Sequence, residues 1–159
     1  MQQRTREAPT VPARQLAALM RDYTPLVQKT ARSALKKLRA QVPGATEMVY
    51  DTYNALVIGF ASGDRASEAI VSIGLYPKWV NVYFLDGAVL DDPQKLLKGS
   101  GNRVRMLRLD DAAAVLDEPP VRQLIAAAVA NADSPFQPRR KRQMVIKAMV
   151  TRRRARRPK

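Results

Sequence analysis

The chain has 159 residues, which suits one domain, and 46% of them are hydrophobic, enough for a single buried core. It contains no cysteine and no histidine; this excludes disulfides, thiol chemistry and the commonest neutral-pH base and transition-metal ligand, leaving oxygen donors for hard cations. The net charge of +14 comes from 28 Lys and Arg against 14 Asp and Glu; eleven of the bases and none of the acids fall in residues 138–159, so the remainder holds 17 against 14, a balance of +3.

No apolar run approaches the roughly 20 residues that span a bilayer, and the polar start lacks the apolar stretch of a signal peptide. A cytoplasmic protein is expected, with no membrane partner. Residues 1–13 are poor in apolar side chains and read as disordered. Leu16, Leu19, Met20 and Tyr23 predict a helix over 14–23. Thr24-Pro25 restarts the chain as N-cap and first helical residue. The second helix runs to about residue 41, with Leu26, Val27, Ala31, Ala34, Leu35 and Leu38 as its apolar stripe and Pro43-Gly44 as its end.

The period then changes to two. Residues 47–51 and 55–61 read as strands, with Ser62-Gly63-Asp64 as a turn. Val71, Ile73 and Leu75 alternate within 68–76, and 79–85 follows through Pro77-Lys78. These strands leave no room for crossover helices, which predicts antiparallel hairpins. Asp86-Gly87 is a turn. Asp92-Pro93 predicts a brief helix over 92–97, capped by Gly99. Residues 104–109 suit an edge strand with Arg103, Arg105 and Arg108 as one basic face. A short helix is expected from Asp110-Asp111 to about 116, and another over 121–131 after Pro119-Pro120. Residues 134–138 form a linker, and 143–150 fit either a strand or a short helix. The Arg-rich 151–159 reads as a solvated, disordered tail, so the single domain is placed at 14–150.

Several groups fit recognition chemistry. The tail carries Arg139, Arg140, Lys141 and Arg142, then Arg152, Arg153, Arg154, Arg156 and Arg157. Arginine clusters bind phosphates bidentately and release counterions, so nucleic acid or another polyanion is an expected partner. No aromatic residue follows Phe136, which leaves the tail without a stacking surface. Lys98-Gly99-Ser100-Gly101 looks like a phosphate-cradling loop, although its helix–loop–strand order reverses the usual one. Tyr50, Asp51, Tyr53 and Asn54, joined by Trp79, fit the wall of a ligand pocket; a plain turn with tyrosines at the core edge also accounts for the first four. Asp86, Asp91, Asp92, Asp110 and Asp111 stand in small groups beside turns and match no calcium-loop spacing, and helix capping explains most of them. No spacing singles out a nucleophile and base, so no catalytic residue and no cofactor is expected.

Tyr50-Asp51-Thr52-Tyr53-Asn54-Ala55-Leu56, Ala66-Ser67-Glu68-Ala69-Ile70, Leu75-Tyr76-Pro77-Lys78-Trp79-Val80-Asn81 and Asp92-Pro93 with Leu96-Leu97-Lys98-Gly99-Ser100-Gly101 resemble the YdhG-like family of bacterial domains of unknown function. The resemblance covers about residues 15–132. It implies an antiparallel sheet packed by terminal helices and tips 143–150 toward strand. Some members are described as frataxin-like iron chaperones, which implies an iron-handling alternative through Asp91, Asp92, Asp110 and Asp111. The reading is therefore an α+β fold, with a mainly antiparallel five- or six-stranded sheet packed by N-terminal and C-terminal helices. Its function is expected to be that of a non-enzymatic binding domain of unknown ligand. Nucleic-acid binding through the tail and iron handling are the alternatives.

Overall fold

The computed structural model describes residues 10–159. The disorder expected for residues 1–9 lies outside the described residues; the disorder expected for 10–13 is corrected, because Thr10 accepts from the Ala13 N–H at 3.3 Å and caps a helix, α1, over Val11–Met20. The second helix, α2, spans Pro25–Gln41, capped by Thr24 through the Val27 N–H at 3.3 Å.

Four strands follow as a meander: β1 over Thr46–Asp51, β2 over Leu56–Ala61, β3 over Ala69–Leu75 and β4 over Val80–Phe84. A short β5, Arg105–Arg108, pairs antiparallel with β4. Helix α3 covers Pro119–Ala130, and β6 covers Gln143–Met149. The sheet order is β5-β4-β3-β2-β1-β6. Every neighbouring pair is antiparallel except β6, which returns after α3 and lies parallel to β1. The α+β architecture holds, with six strands in a mixed, mostly antiparallel sheet.

The helices and one sheet face share a single apolar core. Leu16, Val27, Leu35, Leu38, Leu124 and Ile125 meet Ile58, Phe60, Ile73, Val82 and Phe84 there. By the two-residue period of a strand, Asn81, Tyr83, Gly74, Ser72, Tyr50 and Met48 stand on the opposite face. Two rows cross that face in register: Arg108, Asn81, Gly74, Val57, Tyr50, and Met106, Tyr83, Ser72, Gly59, Met48.

Two expected short helices differ. Residues 92–97 form a turn, because the Asp92 carboxylate accepts from the Leu96 and Leu97 N–H groups at 3.0 and 2.8 Å and takes the bonds a helix would make. Residues 111–117 form two 3-10 turns broken at Ala112 and Ala113, whose φ values of 55° and 53° are left-handed. Their carbonyls accept from Lys37 Nζ at 3.2 and 3.1 Å, which offsets a conformation costly for any residue with a Cβ. The one basic face expected of β5 also fails. Arg105 pairs with Phe84 and Arg108 with Asn81, three residues apart and on opposite sides of the strand.

The tail is the largest correction. Residues 151–159 form no helix or strand, yet they fold against the body, and Arg156 is only 7% exposed. Its Nη2 donates to Asp51 Oδ1 at 2.9 Å and to the Thr52 carbonyl at 2.6 Å. Arg153 Nη2 stands 2.7 Å from Asp51 Oδ2 as an ion pair. Arg157 donates to the Asp22 and Arg21 carbonyls at 3.2 and 3.3 Å, at the negative end of α1. A buried carboxylate at the end of β1 draws these cations in, because an unpaired buried charge costs several kcal/mol, about 3–5.

Candidate functional site

The site grows from the β3–β4 hairpin. Pro77-Lys78 is its two-residue loop, closed by the Tyr76 N–H donating to the Trp79 carbonyl at 2.9 Å. Gly74 makes room on the open sheet face: a Cβ there would stand 3.1 Å from Tyr76 Cε2 and 3.2 Å from Tyr83 Cε2. The two rings converge above it, and their hydroxyls lie 2.5 Å apart. Asn81 Nδ2 donates to the Tyr83 hydroxyl at 3.2 Å. Burial, and then the bond to Tyr83, pushes the Tyr76 phenol well above its ordinary range, so it keeps its proton far into the alkaline range.

Trp79 stands beside this pair, its ring centroid 6.2 Å from that of Tyr76, and it is 37% exposed. Arg108, on the neighbouring β5, lays its guanidinium 4.1 Å from the Trp79 centroid. A guanidinium at this distance from an indole face is attracted to the ring and retains N–H donors for another partner. Among the described residues neither Arg108 nor Lys78 makes an ion pair or a side-chain hydrogen bond. Both border a cleft of about 220 Å³ between α2 and the hairpin, with Val27, Val80 and Leu109 at its base and Trp79 at its lip. Asp110 and Asp111 also line it, but they have partners: Asp110 Oδ1 accepts from the Val115 N–H at 2.9 Å, and Asp111 lies 3.6 Å from Lys29 Nζ. With Lys29 counted, three cations stand against two carboxylates around the cleft, and Arg108 and Lys78 are the cations without an ion-pair partner among the described residues.

The structure disperses the residues expected to form one ligand pocket. Tyr50 is on the open face, in the same row as Asn81 but separated from it by Val57 and Gly74, about 14 Å at ordinary strand spacing. Asp51 points to the other side, 1% exposed and held by Arg153 and Arg156. Tyr53 and Asn54 form the exposed β1–β2 turn, with Arg154 5.6 Å over the Tyr53 ring. Of this set only Trp79 lines one of the principal cavities.

The Lys98-Gly99-Ser100-Gly101 loop encloses a cation. Lys98 bridges Met106 through both backbone groups, at 2.7 and 2.8 Å, and Gly99 takes φ +128°. Arg105 Nη1 donates to the Gly101 and Val104 carbonyls. The loop thus presents oxygens inward, the wrong polarity for a phosphate cradle.

The basic run is largely engaged. Arg140 donates to the Ser62 carbonyl at 3.1 Å and to Gln143, and pairs with Asp64 at 3.5 Å. Arg142 joins Arg39 on Glu47, which is fully buried; Arg39 grips both oxygens at 2.8 to 3.2 Å. Arg139, Lys141 and Arg152 are exposed, with no ion-pair partner among the described residues. The aspartates of the iron alternative separate into two places, Asp91 and Asp92 against α3 and Asp110 and Asp111 against α2. No group of three or more acidic residues spaced for a metal occurs among the described residues.

Tyr76, Asn81, Tyr83 and Arg108 belong to the site without having been singled out for it. The alternation around Trp79 places Asn81 and Tyr83 on its face; nothing local assigns Arg108 to the Trp79 ring. No protein-family model, no curated protein and no solved structure matches the chain. No described helix is long and apolar enough to cross a membrane.

Proposed function

We propose that this chain is a binding domain of the YdhG-like kind rather than an enzyme, and that the Trp79–Arg108 cleft receives a small organic anion with an apolar body. One observation carries this reading: a guanidinium without an ion-pair partner among the described residues, 4.1 Å from the Trp79 ring centroid, borders a cleft whose buried lining is Val27, Val80 and Leu109 with the hydroxyl of Thr30. A cation ordered before binding loses less entropy when the anion arrives. Lys78 adds a second charge without fixed geometry, and Val27, Val80 and Leu109 take the apolar part. The proton inventory points the same way. The shifted phenol, Tyr76, is moved away from general-base duty, and the buried carboxylates Glu47 and Asp51 are neutralised by arginines.

The chain has a single tryptophan, so its fluorescence reports on the cleft directly. Titration with octanoate, benzoate and phenyl phosphate is expected to give a saturable change for at least one of them. Arg108→Gln weakens it by about tenfold, the worth of one charge-assisted contact, whereas Arg139→Gln leaves it unchanged. Equal responses from both variants, or a linear quench, would remove the cleft as the site.

The nucleic-acid alternative keeps Arg139, Lys141 and Arg152 among its exposed cations, beside Arg154 over the Tyr53 ring. Deleting 139–159 is not a clean test of it, since that deletion removes β6 and bares Asp51. The triple change of those three residues to Gln is the cleaner comparison, read as the salt slope of oligonucleotide binding.

A further inference from the structure

The outer side of β6 is a seven-residue strand edge, about 23 Å long, and the sheet order ends there. We infer that this edge is a docking surface for an extended acidic peptide, which adds to the sheet as a seventh strand. The backbone polarity of β6 follows from two bonds. The Gln143 N–H donates to the Ala45 carbonyl, and the Val150 N–H donates to the Asp51 carbonyl. Counting by two from each, and allowing for the register shift opposite Val49 and Tyr50, Met144, Ile146 and Met149 turn their N–H and C=O groups away from β1. Natural edges are usually blunted by outward charges. Here the one charged side chain of the strand, Lys147, is turned aside, its Nζ donating to the Asp64 carbonyl at 2.9 Å. Val145 and Met149 remain 37% and 52% exposed.

Charge chooses the occupant. Arg139 and Lys141 precede the strand and Arg152 follows it, all three exposed and without an ion-pair partner among the described residues. A second copy pairing through β6 would set these cations against each other in either orientation, and like charges across a ladder are repulsive. A peptide with carboxylates at both ends meets attraction at both ends. Main-chain pairing supplies affinity, and the flanking charges supply selectivity. This edge lies across the sheet from the Trp79 cleft, so the inference stands independently of it.

The test uses the full chain and an end-blocked, fluorescein-labelled octapeptide alternating Glu with Thr and Val, followed by anisotropy at low and high salt. Binding is expected, weakened by added salt. It falls about tenfold for the same peptide with Lys in place of Glu, the scale of losing the flanking ion pairs. Met149→Pro removes one outward donor while sparing the β1 ladder, and it is expected to weaken binding by about tenfold with unchanged circular dichroism. The double change of Arg139 and Arg152 to Gln provides a second variant free of backbone effects, with a similar loss. Overturning results are no binding to the folded chain, binding indifferent to Met149→Pro, an octathymidylate that competes fully with the peptide, or a dimer in sedimentation that Met149→Pro dissociates.

Discussion

On β2, β3 and β4 every side chain turned toward the helices is apolar: Leu56, Ile58 and Phe60, then Val71, Ile73 and Leu75, then Val80, Val82 and Phe84. On β1 the same row reads Glu47, Val49, Asp51, with a buried carboxylate at each end. The C-terminal segment answers that pattern. Arg142, just before β6, meets Glu47, and Arg153 and Arg156, just after it, meet Asp51. One half of the sheet is held by burial, which forbids a one-residue slip and resists a two-residue slip only through packing. The other half is keyed by charge, which fixes where a parallel strand must stop. A buried ion pair adds little net stability over an apolar pair, but an unmatched register leaves bare charges and is costly.

The sharpest breaks should come from each half by its own mechanism. Phe84→Ala opens a cavity in the meander and is expected to cost about 3–5 kcal/mol in denaturant unfolding, insensitive to salt; a loss below about 1 kcal/mol would show that the site collapses instead. Asp51→Ala strands Arg156 and is expected to cost about 3–5 kcal/mol. The paired change Asp51→Leu with Arg156→Met should recover most of that loss, because it removes both charges together. A double variant as unstable as the single one contradicts the charge-keyed account.

The next effect appears at alkaline pH. Tyr23 and Tyr76 both titrate above the ordinary phenol value of 10.0, chiefly because burial disfavours the phenolate. For both, protons are held more tightly in the folded state. Their contribution is complete below about pH 10 and is lost as pH rises through the folded values, where the unfolded chain ionises first. Unfolding curves above pH 10 should therefore show falling stability, with a shallower fall in Tyr76→Phe; identical slopes would remove Tyr76 from the effect. The smallest break is Thr24→Ala, which deletes the α2 cap on the apolar half and is expected to cost about 1 kcal/mol, read as a shift in Tm. A similar change in salt dependence would be a surprise there, since no ion pair is touched.

Legibility in the sequence follows the same division. The α2 helix was readable to its ends because Thr24, Pro25 and Pro43-Gly44 are local signals. The meander was readable because alternation has a period of two. The turn at 92–97 was misread as a helix because the Asp92 carboxylate captures two backbone donors, an outcome that its capping preference alone does not separate from a helix start. Of the candidate site, Trp79 was found by type. Arg108 was seen only as part of a basic face, because the ring that holds it lies on another strand.

Composition and neighbours within a few residues settle the α+β class, the Thr24 cap of α2, the inward faces of β2, β3 and β4, and a chemistry without thiol or imidazole. That β6 runs parallel to β1, that Arg156 reaches Asp51 across 105 residues and that Arg108 rests on Trp79 all come from the path of the folded chain. Those contacts have no period and no local signal. Any arginine in the tail could answer a buried carboxylate equally well in one dimension, and the distance between them is set by the path of the folded chain.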